Sequence, residues 1–177
     1  GLNKPTFTYG AAAATITVSA ANVLWKGGPH IGNFDNVAAA FTLAAAKDFR
    51  LEGADFIDNT AALHFLSIVV TGATDNDADG LSVVGNHWDG LALSPDAFTS
   101  ILAAERRVYI ADNDVNMAAT NDVGHFLTVA AKVQTDIRIL RNNLVVVGST
   151  GATVGVFMTG SSTTNTGIMA YNNCASL

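Results

Sequence analysis

A six-residue phrase recurs five times along the chain, and it constrains the fold more than any other feature. Its first and third positions are apolar in every copy, its second and fourth positions vary, and asparagine closes four of the five copies. The copies are FRLEGA (49–54), LSVVGN (81–86), VYIADN (108–113), IRILRN (137–142) and IMAYNN (168–173). Their first positions lie 32, 27, 29 and 31 residues apart. A period of about 30 residues is typical of a repeat protein in which each repeat stacks on the next.

The alternation of apolar positions within the phrase indicates a β-strand, because successive side chains of a strand point to opposite faces. Each copy would then direct two side chains into a core. The predicted inward pairs are Phe49/Leu51, Leu81/Val83, Val108/Ile110, Ile137/Ile139 and Ile168/Ala170. A short strand cannot bury its inner face alone, and the long return path between copies favours parallel stacking.

The residue that closes each phrase predicts a polar ladder at one corner of the stack. Asparagine tolerates the left-handed conformation that sharp corners need, and stacked amides can donate to and accept from one another. The predicted ladder consists of Asn86, Asn113, Asn142 and Asn173. It begins at the second copy, because the first copy has Ala54 at this position.

Two further apolar stretches accompany each copy, so each coil would contain three strands. The upstream stretch carries a phenylalanine in every coil, which predicts a ladder of rings formed by Phe41, Phe65, Phe98, Phe126 and Phe157. The downstream stretch places in its inward slot Phe56, Trp88, Val115 and Leu144. The sequence therefore predicts an all-β domain of about five coils of 27–33 residues over residues 36–177, and an N-terminal arm and cap region over residues 1–35. In that region Ile16 lies 33 residues before Phe49 and is interpreted as a degenerate sixth copy.

This pattern resembles the right-handed, single-stranded parallel β-helix of the pectate-lyase-like superfamily. Members of that superfamily stack coils of three short strands and often carry an asparagine ladder at one turn. The resemblance covers residues 36–177. It implies the fold and leaves the activity open, because the superfamily contains polysaccharide lyases and hydrolases as well as phage tailspikes and fibres without catalysis of their own.

The chain is most similar to the non-catalytic phage members. The resemblance therefore implies a structural virion protein of a tailed phage, namely a capsid-decorating, spike or fibre subunit at the virion surface or outside the cell. The implied partners are two further copies in a homotrimer, a capsid or tail protein, and surface glycans. Two alternatives remain open: a polysaccharide lyase or glycoside hydrolase built on a β-helix, and a bacterial surface adhesin.

The net charge and the hydrophobic content indicate which classes of partner the chain could bind. The net charge of −6 argues against binding to nucleic acid or to an anionic membrane, and no apolar run reaches the length of a membrane span. Hydrophobic residues make up 49% of the chain and charged residues only 14%, which indicates that a partner covers part of the surface. The outward column Val84, Ala111 and Leu140 is apolar and favours such an assembly. Cys174 is predicted to be a buried, inert thiol, and the interrupted strand at Leu177 leads us to expect further chain or a covering subunit.

No catalytic residue is predicted. Asp112 and Asp114 flank Asn113, and Asp89 lies one coil earlier, so two of these acids on neighbouring coils could form the acid pair of a glycosidase, but aspartate is common in turns and we favour that interpretation. His64 and His125 both precede a phenylalanine. This position predicts that they lie on one outer face, two coils apart and too distant for a shared metal ion.

The most specific motif is an acidic loop in the second coil. The segment DNDADG (75–80) matches the opening of a calcium-binding loop, in which carboxylates at alternate positions converge on one hard cation and glycine permits the bend. Asp75, Asp77 and Asp79 are therefore the candidate ligands of a structural calcium ion. The twelfth position would be Asn86 instead of glutamate, so the loop is not a complete EF-hand. The alternative is a solvated acidic loop tip.

Overall fold

The structure is a computed structural model that describes residues 4–91, 96–118, 123–147, 154–160 and 164–176. Within these ranges, the description of residues 123, 124, 154–157 and 176 is confined to the backbone. Every regular element in the described ranges is a β-strand, and the named strands pair in parallel throughout. None of the described residues forms a helix long and apolar enough to cross a membrane.

The strands form three stacked sheets. Sheet A contains β1 (Phe7–Tyr9), β4 (Pro29–Gly32), β7 (Asp55–Asp58), β10 (His87–Gly90), β13 (Asp114–Ala118), β16 (Asn143–Val147) and β19 (Asn173–Ser176). Sheet B contains β2 (Ile16–Val18), β5 (Phe41–Leu43), β8 (Ser67–Thr71), β11 (Ala97–Ile101), β14 (Val123–Val129) and β17 (Val154–Gly160). Sheet C contains β3 (Leu24–Lys26), β6 (Arg50–Glu52), β9 (Ser82–Val84), β12 (Tyr109–Ala111), β15 (Ile137–Leu140) and β18 (Gly167–Ala170).

The chain visits sheets A, B and C in turn and then repeats, which makes it a parallel β-solenoid of about five turns. The predicted all-β fold with three strands per coil is confirmed. The right-handed sense of the coil stays a prediction.

The recurring phrase forms sheet C, and its first and third positions face the core as predicted. In the first four copies the inward residues are at most 4% exposed, for example Leu51, Val83 and Ile139. The inward slot of sheet A is also confirmed, because the predicted set of Phe56, Trp88, Val115 and Leu144 is fully buried and in register. The core is therefore one continuous apolar column.

Residues 7–32, which the sequence assigned to an arm and cap region, contribute strands β1 to β4 to the same three sheets. The interpretation of Ile16 as a sixth copy of the phrase is wrong, because Ile16 pairs with Phe41 in sheet B. The residue that aligns with Leu51 in sheet C is Trp25. Two glycines follow Lys26, so this copy lacks the closing asparagine. For that reason the phrase is not recognised here from the sequence alone.

The corner from sheet C to sheet A contains two residues in every coil. The first of the two has a left-handed backbone, with φ between 54° and 64°, at Gly27, Gly53, Gly85, Asp112, Arg141 and Tyr171. The ladder asparagine is the second residue, so the prediction that asparagine itself takes the left-handed conformation is wrong. The conformation falls one residue earlier, where two coils use residues with long side chains.

The asparagine ladder occupies the second corner position. Asn113 Oδ1 accepts from the backbone N–H of Asn86 at 3.0 Å and from its Nδ2 at 3.0 Å, and Asn113 Nδ2 donates to Asn142 Oδ1 at 2.9 Å. The ladder starts as predicted, because the Ala54 N–H donates to Asn86 Oδ1 at 2.9 Å. Its last member is Asn172, whose Oδ1 accepts from Asn142.

The predicted register of the last copy is therefore wrong by one residue. Ile139 pairs with Met169, and Ile168 lies opposite Arg138 on the outer face, where it is 58% exposed. Asn173 does not enter the ladder but donates to Asn143 Oδ1 on the surface. A slip of one residue moves every side chain of a strand to the other face, so the predicted inward pair of Ile168 and Ala170 is also wrong.

Two other expectations about packing need correction. Cys174 aligns with the inward-facing Leu144, but its thiol is exposed because it lies in the last coil of the stack. The phenylalanine ladder is only partial. Phe98 and Phe126 pack with ring centroids 5.2 Å apart, whereas Phe41 pairs with Val69. The two remaining members do not extend it: Phe65 packs against Tyr9 and Phe56, and the side chain of Phe157 lies outside the described part of the structure.

Candidate functional site

The acidic loop lies at the corner between sheets B and C. Ten residues (72–81) connect β8 to β9, whereas seven residues (102–108) connect β11 to β12 in the next coil. The loop is therefore an insertion into one coil, as the sequence indicates. It keeps its place in the stack through backbone bonds from Asn76 to Ala104 and from Gly80 to Arg106, each 2.8 Å long.

Two of the three aspartates anchor this loop to the next coil. Asp75 Oδ1 accepts from the backbone N–H of Ala104 at 3.0 Å, and Asp79 Oδ1 accepts from that of Arg106 at 2.8 Å. Lys132 Nζ lies 3.6 Å from Asp75 Oδ2. The bond from Ala104 and, to a smaller extent, the charge of Lys132 lower the pKa of Asp75. Both carboxylates therefore replace missing backbone contacts where the insertion interrupts the regular corner.

The third aspartate, Asp77, is half-buried between them on the inner side of the loop. Its carboxylate faces Gly72, because a methyl group at Gly72 would lie 3.9 Å from Asp77 Oδ2. Within the part of the chain that the structure describes, no group of three or more His, Cys, Asp or Glu side chains is placed to hold a metal ion. The structure thus gives Asp75 and Asp79 backbone partners, and calcium binding by this loop stays a prediction.

A buried acid beneath the loop is the residue that the sequence did not point to. Glu105 is fully buried, and its Oε2 accepts from the backbone N–H of Ala78 at 3.0 Å. Burial, with smaller contributions from the charges of Asp79 and Asp77, raises its pKa to about 7. A carboxyl group that changes charge near neutral pH inside a protein is a candidate functional group.

Glu105 belongs to a second polar ladder, the corner ladder, which consists of the Ala78 amide, Glu105, Gln134 and Asn165. The N–H of Glu105 donates to Gln134 Oε1 at 2.9 Å, and the N–H of Gln134 donates to Asn165 Oδ1 at 2.9 Å. Gln134 Nε2 also donates to the carbonyl of Ala103 at 2.8 Å. The signal in the sequence is a series of polar residues that follow position 78 at successive spacings of 27, 29 and 31 residues. It is visible only after the coils are aligned.

Two arginines with an acidic partner lie on sheet C or at its edge: Arg138 in β15, and Arg141 at the corner to sheet A. Arg138 Nε lies 2.9 Å from Asp136 Oδ1, and Arg141 bonds both oxygens of Asp112 at 2.7 Å. A shallow groove on this face is lined by Arg107, Val108, Tyr109, Asp136 and Arg138. These ion pairs are exposed and contribute little to stability.

The aspartates that could form a glycosidase pair lie on two parts of the solenoid: Asp112 is at the corner from sheet C to sheet A, and Asp89 and Asp114 are on neighbouring strands of sheet A. The bond from Arg141 lowers the pKa of Asp112, which disfavours its use as a proton donor. Asp89 lies on sheet A, in register with Asn116. Asp114, also on sheet A, lies 3.4 Å from His87 Nδ1.

The predicted common slot of His64 and His125 is wrong. His64 is buried at a corner, with its Nε2 3.0 Å from Asn36 Oδ1. His125 lies in β14, and its Nδ1 is 3.2 Å from the carbonyl oxygen of Asp96. The strand register aligns Ser67, three residues after His64, with Ala97 in the next coil. The two histidines therefore do not lie on one outer face.

No protein-family model, no curated protein and no solved structure matches this chain.

Proposed function

We propose that this chain is a structural virion protein of a tailed phage, a capsid-decorating, spike or fibre subunit without a catalytic role. The observation that carries the proposal is the internal use of its buried polar side chains. The asparagine ladder and the corner ladder flank sheet C and bond mainly to the backbone of neighbouring coils. Such an arrangement uses these side chains to hold neighbouring coils together and gives a rigid rod, which is a mechanical property.

Location in a particle is tested by immunogold electron microscopy of virus particles from the source material. Labelling of capsids or tails is expected, because a capsid or tail protein is the proposed partner. Label on bacterial cells and not on particles would favour the adhesin alternative and contradict the proposal. Surface glycans are the proposed ligands of a spike or fibre, and glycan-array binding by the purified protein tests them separately.

The proposed assembly is a homotrimer with uncharged faces in contact. Sheet B supports it with a column of six aligned residues that includes no charge: Thr17, Thr42, Val70, Ser100, Thr128 and Thr159. On sheet C, Val84 and Leu140 of the predicted apolar column are half-buried, and Ala111 is already fully buried within one chain. Sheet B is therefore the stronger candidate for contact between copies.

Light scattering should give three times the chain mass of 18.3 kDa at micromolar concentration. Val70→Lys places a charge in the sheet B column and should dissociate the trimer. Asp89→Lys, on the exposed part of sheet A, is the matched control and should leave the mass unchanged. A monomer mass for the unmodified protein would contradict the proposed assembly.

A carbohydrate-active enzyme is the second candidate, and the groove on sheet C is the observation that favours it. Its guanidinium groups and the Tyr109 ring could bind an acidic sugar chain. Incubation with acidic polysaccharides, followed by measurement of new reducing ends, tests this activity. Product formation that Arg138→Ala abolishes would support the enzyme and contradict the structural role.

Calcium binding by Asp75, Asp77 and Asp79 is proposed as a structural aid to the inserted loop. Three acids in one short segment repel each other, and a bound cation would relieve that repulsion. Thermal unfolding is measured in calcium and in chelator, with Asp77→Ala as the variant. A midpoint that is the same in both conditions would show that the site does not bind calcium.

A further inference from the structure

One carboxylate oxygen of Glu105 is buried beneath the acidic loop without a partner. Glu105 is fully buried, and its Oε2 accepts from the N–H of Ala78. Its Oε1 has no hydrogen-bond partner in the part of the chain that the structure describes. A buried polar atom without a partner costs free energy, and the cost is larger when the group is charged. A further group that pairs with Oε1 would therefore stabilise this corner.

The equivalent residue of the next coil shows what kind of group Glu105 lacks. Gln134 occupies the same place in the corner ladder and uses both ends of its amide. Its Oε1 accepts from the N–H of Glu105, and its Nε2 donates to the carbonyl of Ala103. Both oxygens of an ionised carboxylate can only accept. The missing partner of Glu105 is therefore a donor or a cation.

The groups that face Glu105 from the inserted loop are acids. The carboxylate of Asp79 contacts that of Glu105, and the negative charge of Asp77 also acts on it. The cation that pairs with this loop, Lys132, lies 3.6 Å from Asp75 Oδ2 at the exposed edge. Carboxylates held this close repel one another, and a hard cation between them relieves the repulsion.

We propose that Glu105 is a ligand of a calcium ion bound by the loop 75–80, and that this ion ties the loop to the next coil. The inference rests on the calcium binding proposed above for the three aspartates of that loop. A complete loop of this kind has a bidentate glutamate at its twelfth position, where this chain has Asn86. Glu105 supplies the missing carboxylate from the neighbouring coil, and its unpartnered Oε1 is the atom that meets the ion.

The ion would rearrange the side chains of the loop. As they stand, no three acids among the described residues are placed to hold a metal ion. Asp75 and Asp79 each turn one oxygen, Oδ1, to a backbone N–H of the next coil. Glu105 is held in place by the Ala78 bond. Calcium should therefore draw the loop carboxylates toward Glu105 and leave the corner ladder intact.

The glutamates allow a direct test on the unmodified protein. The chain contains only two, Glu52 and Glu105, so carbon-13 labelling of glutamate gives two carboxyl signals. Addition of calcium chloride should shift the Glu105 signal, which is assigned by its loss in Glu105→Gln. The Glu52 signal should stay in place, because Glu52 belongs to sheet C and faces Lys26. A Glu105 signal that calcium does not move would overturn the inference.

Calcium titration calorimetry on variants separates this inference from the loop site itself. Glu105→Gln keeps an acceptor for the Ala78 N–H but loses the charge, and it should weaken calcium binding by about tenfold or more. Glu52→Gln is the matched control and should bind calcium as the unmodified protein does. Unchanged affinity in Glu105→Gln, with binding lost in Asp77→Ala, would overturn the inference and leave the loop site in place. No binding by the unmodified protein would overturn both.

Discussion

Replacement of Asn113 by alanine tests whether the asparagine ladder stabilises the solenoid. Asn113 lies in the middle of the ladder and is 1% exposed. Its side chain takes part in four hydrogen bonds of 2.9–3.0 Å, to the N–H and Nδ2 of Asn86, to the Val83 carbonyl and to Asn142 Oδ1. Alanine removes all four and leaves their partners in a place that water does not reach.

The expected cost follows from these bonds. A hydrogen bond contributes about 1 kcal/mol net, and a buried group left without its partner costs more. Four bonds give a loss of about 4 kcal/mol, which is a large part of the 5–15 kcal/mol that is typical of a folded domain. For a chain of this size, the midpoint of thermal unfolding should fall by roughly 8–16 °C.

The assay is denaturant and thermal unfolding followed by circular dichroism, with Asn59→Ala as the control. Asn59 also donates to an asparagine, Asn33, at 2.7 Å, but this pair is exposed. The control should change the free energy of unfolding by no more than about 0.5 kcal/mol. A cost of less than about 1.5 kcal/mol for Asn113→Ala, or a cost equal to that of the control, would refute the view that the ladder is a main source of stability.

Three further changes test other parts of the fold. Gly85→Ala should cost about 1 kcal/mol, because Gly85 has φ 64° and nothing within 4 Å of an added methyl group, so only the left-handed backbone opposes the change. Gly10→Ala is the control, because an added methyl group there also meets nothing within 4 Å and the backbone is not left-handed. This variant should not lower the free energy of unfolding. Equal costs for the two variants would contradict the reason given for Gly85. Phe98→Ala should cost about 3–5 kcal/mol in chemical unfolding, because it opens a cavity in the column between Trp88 and Phe126; a cost below about 1 kcal/mol would show that the column collapses around it. His30 is fully buried, and burial lowers its pKa from 6.5 to about 4. As the pH falls, the unfolded chain therefore binds this proton before the folded chain does. The free energy of unfolding should decrease by up to about 3 kcal/mol between pH 6.5 and pH 4. His30→Phe should lose this acid sensitivity in unfolding measured across that range, and an unchanged slope would contradict the assignment.

The sequence predicts the fold well wherever alternation and spacing agree. The first four copies of the phrase have one register in which both apolar positions face inward and asparagine reaches the corner. The last copy allows two registers, because Ile168 and Met169 are both apolar and Asn172 and Asn173 are identical. The structure adopts the register in which Met169 pairs with Ile139, and there any side chain at position 167 would collide with the backbone of Ile137.

The site is less predictable, because its signals depend on contacts between coils. Asp75 and Asp79 match a calcium motif by spacing, but in the structure they accept from the backbone of the next coil. Glu105 is followed by two arginines and looks like part of a solvated corner. Only the alignment of coils shows that it occupies the same buried position as Gln134. Spacing along the chain cannot show which atoms the stack brings together.

The two-residue corner between sheets C and A has a consequence for engineering. Because this corner has the same length in every coil, each strand of sheet C keeps the same position relative to the strand of sheet A that follows it. Differences in coil length are absorbed at the other two corners, and the loop 72–81 shows that one of them accepts extra residues without loss of register in sheet C. A foreign peptide inserted near Thr74, which is exposed, should therefore be displayed at a known height on a rod whose remaining coils are unchanged. The chain could therefore serve as a display scaffold, with the loop 72–81 as its insertion point.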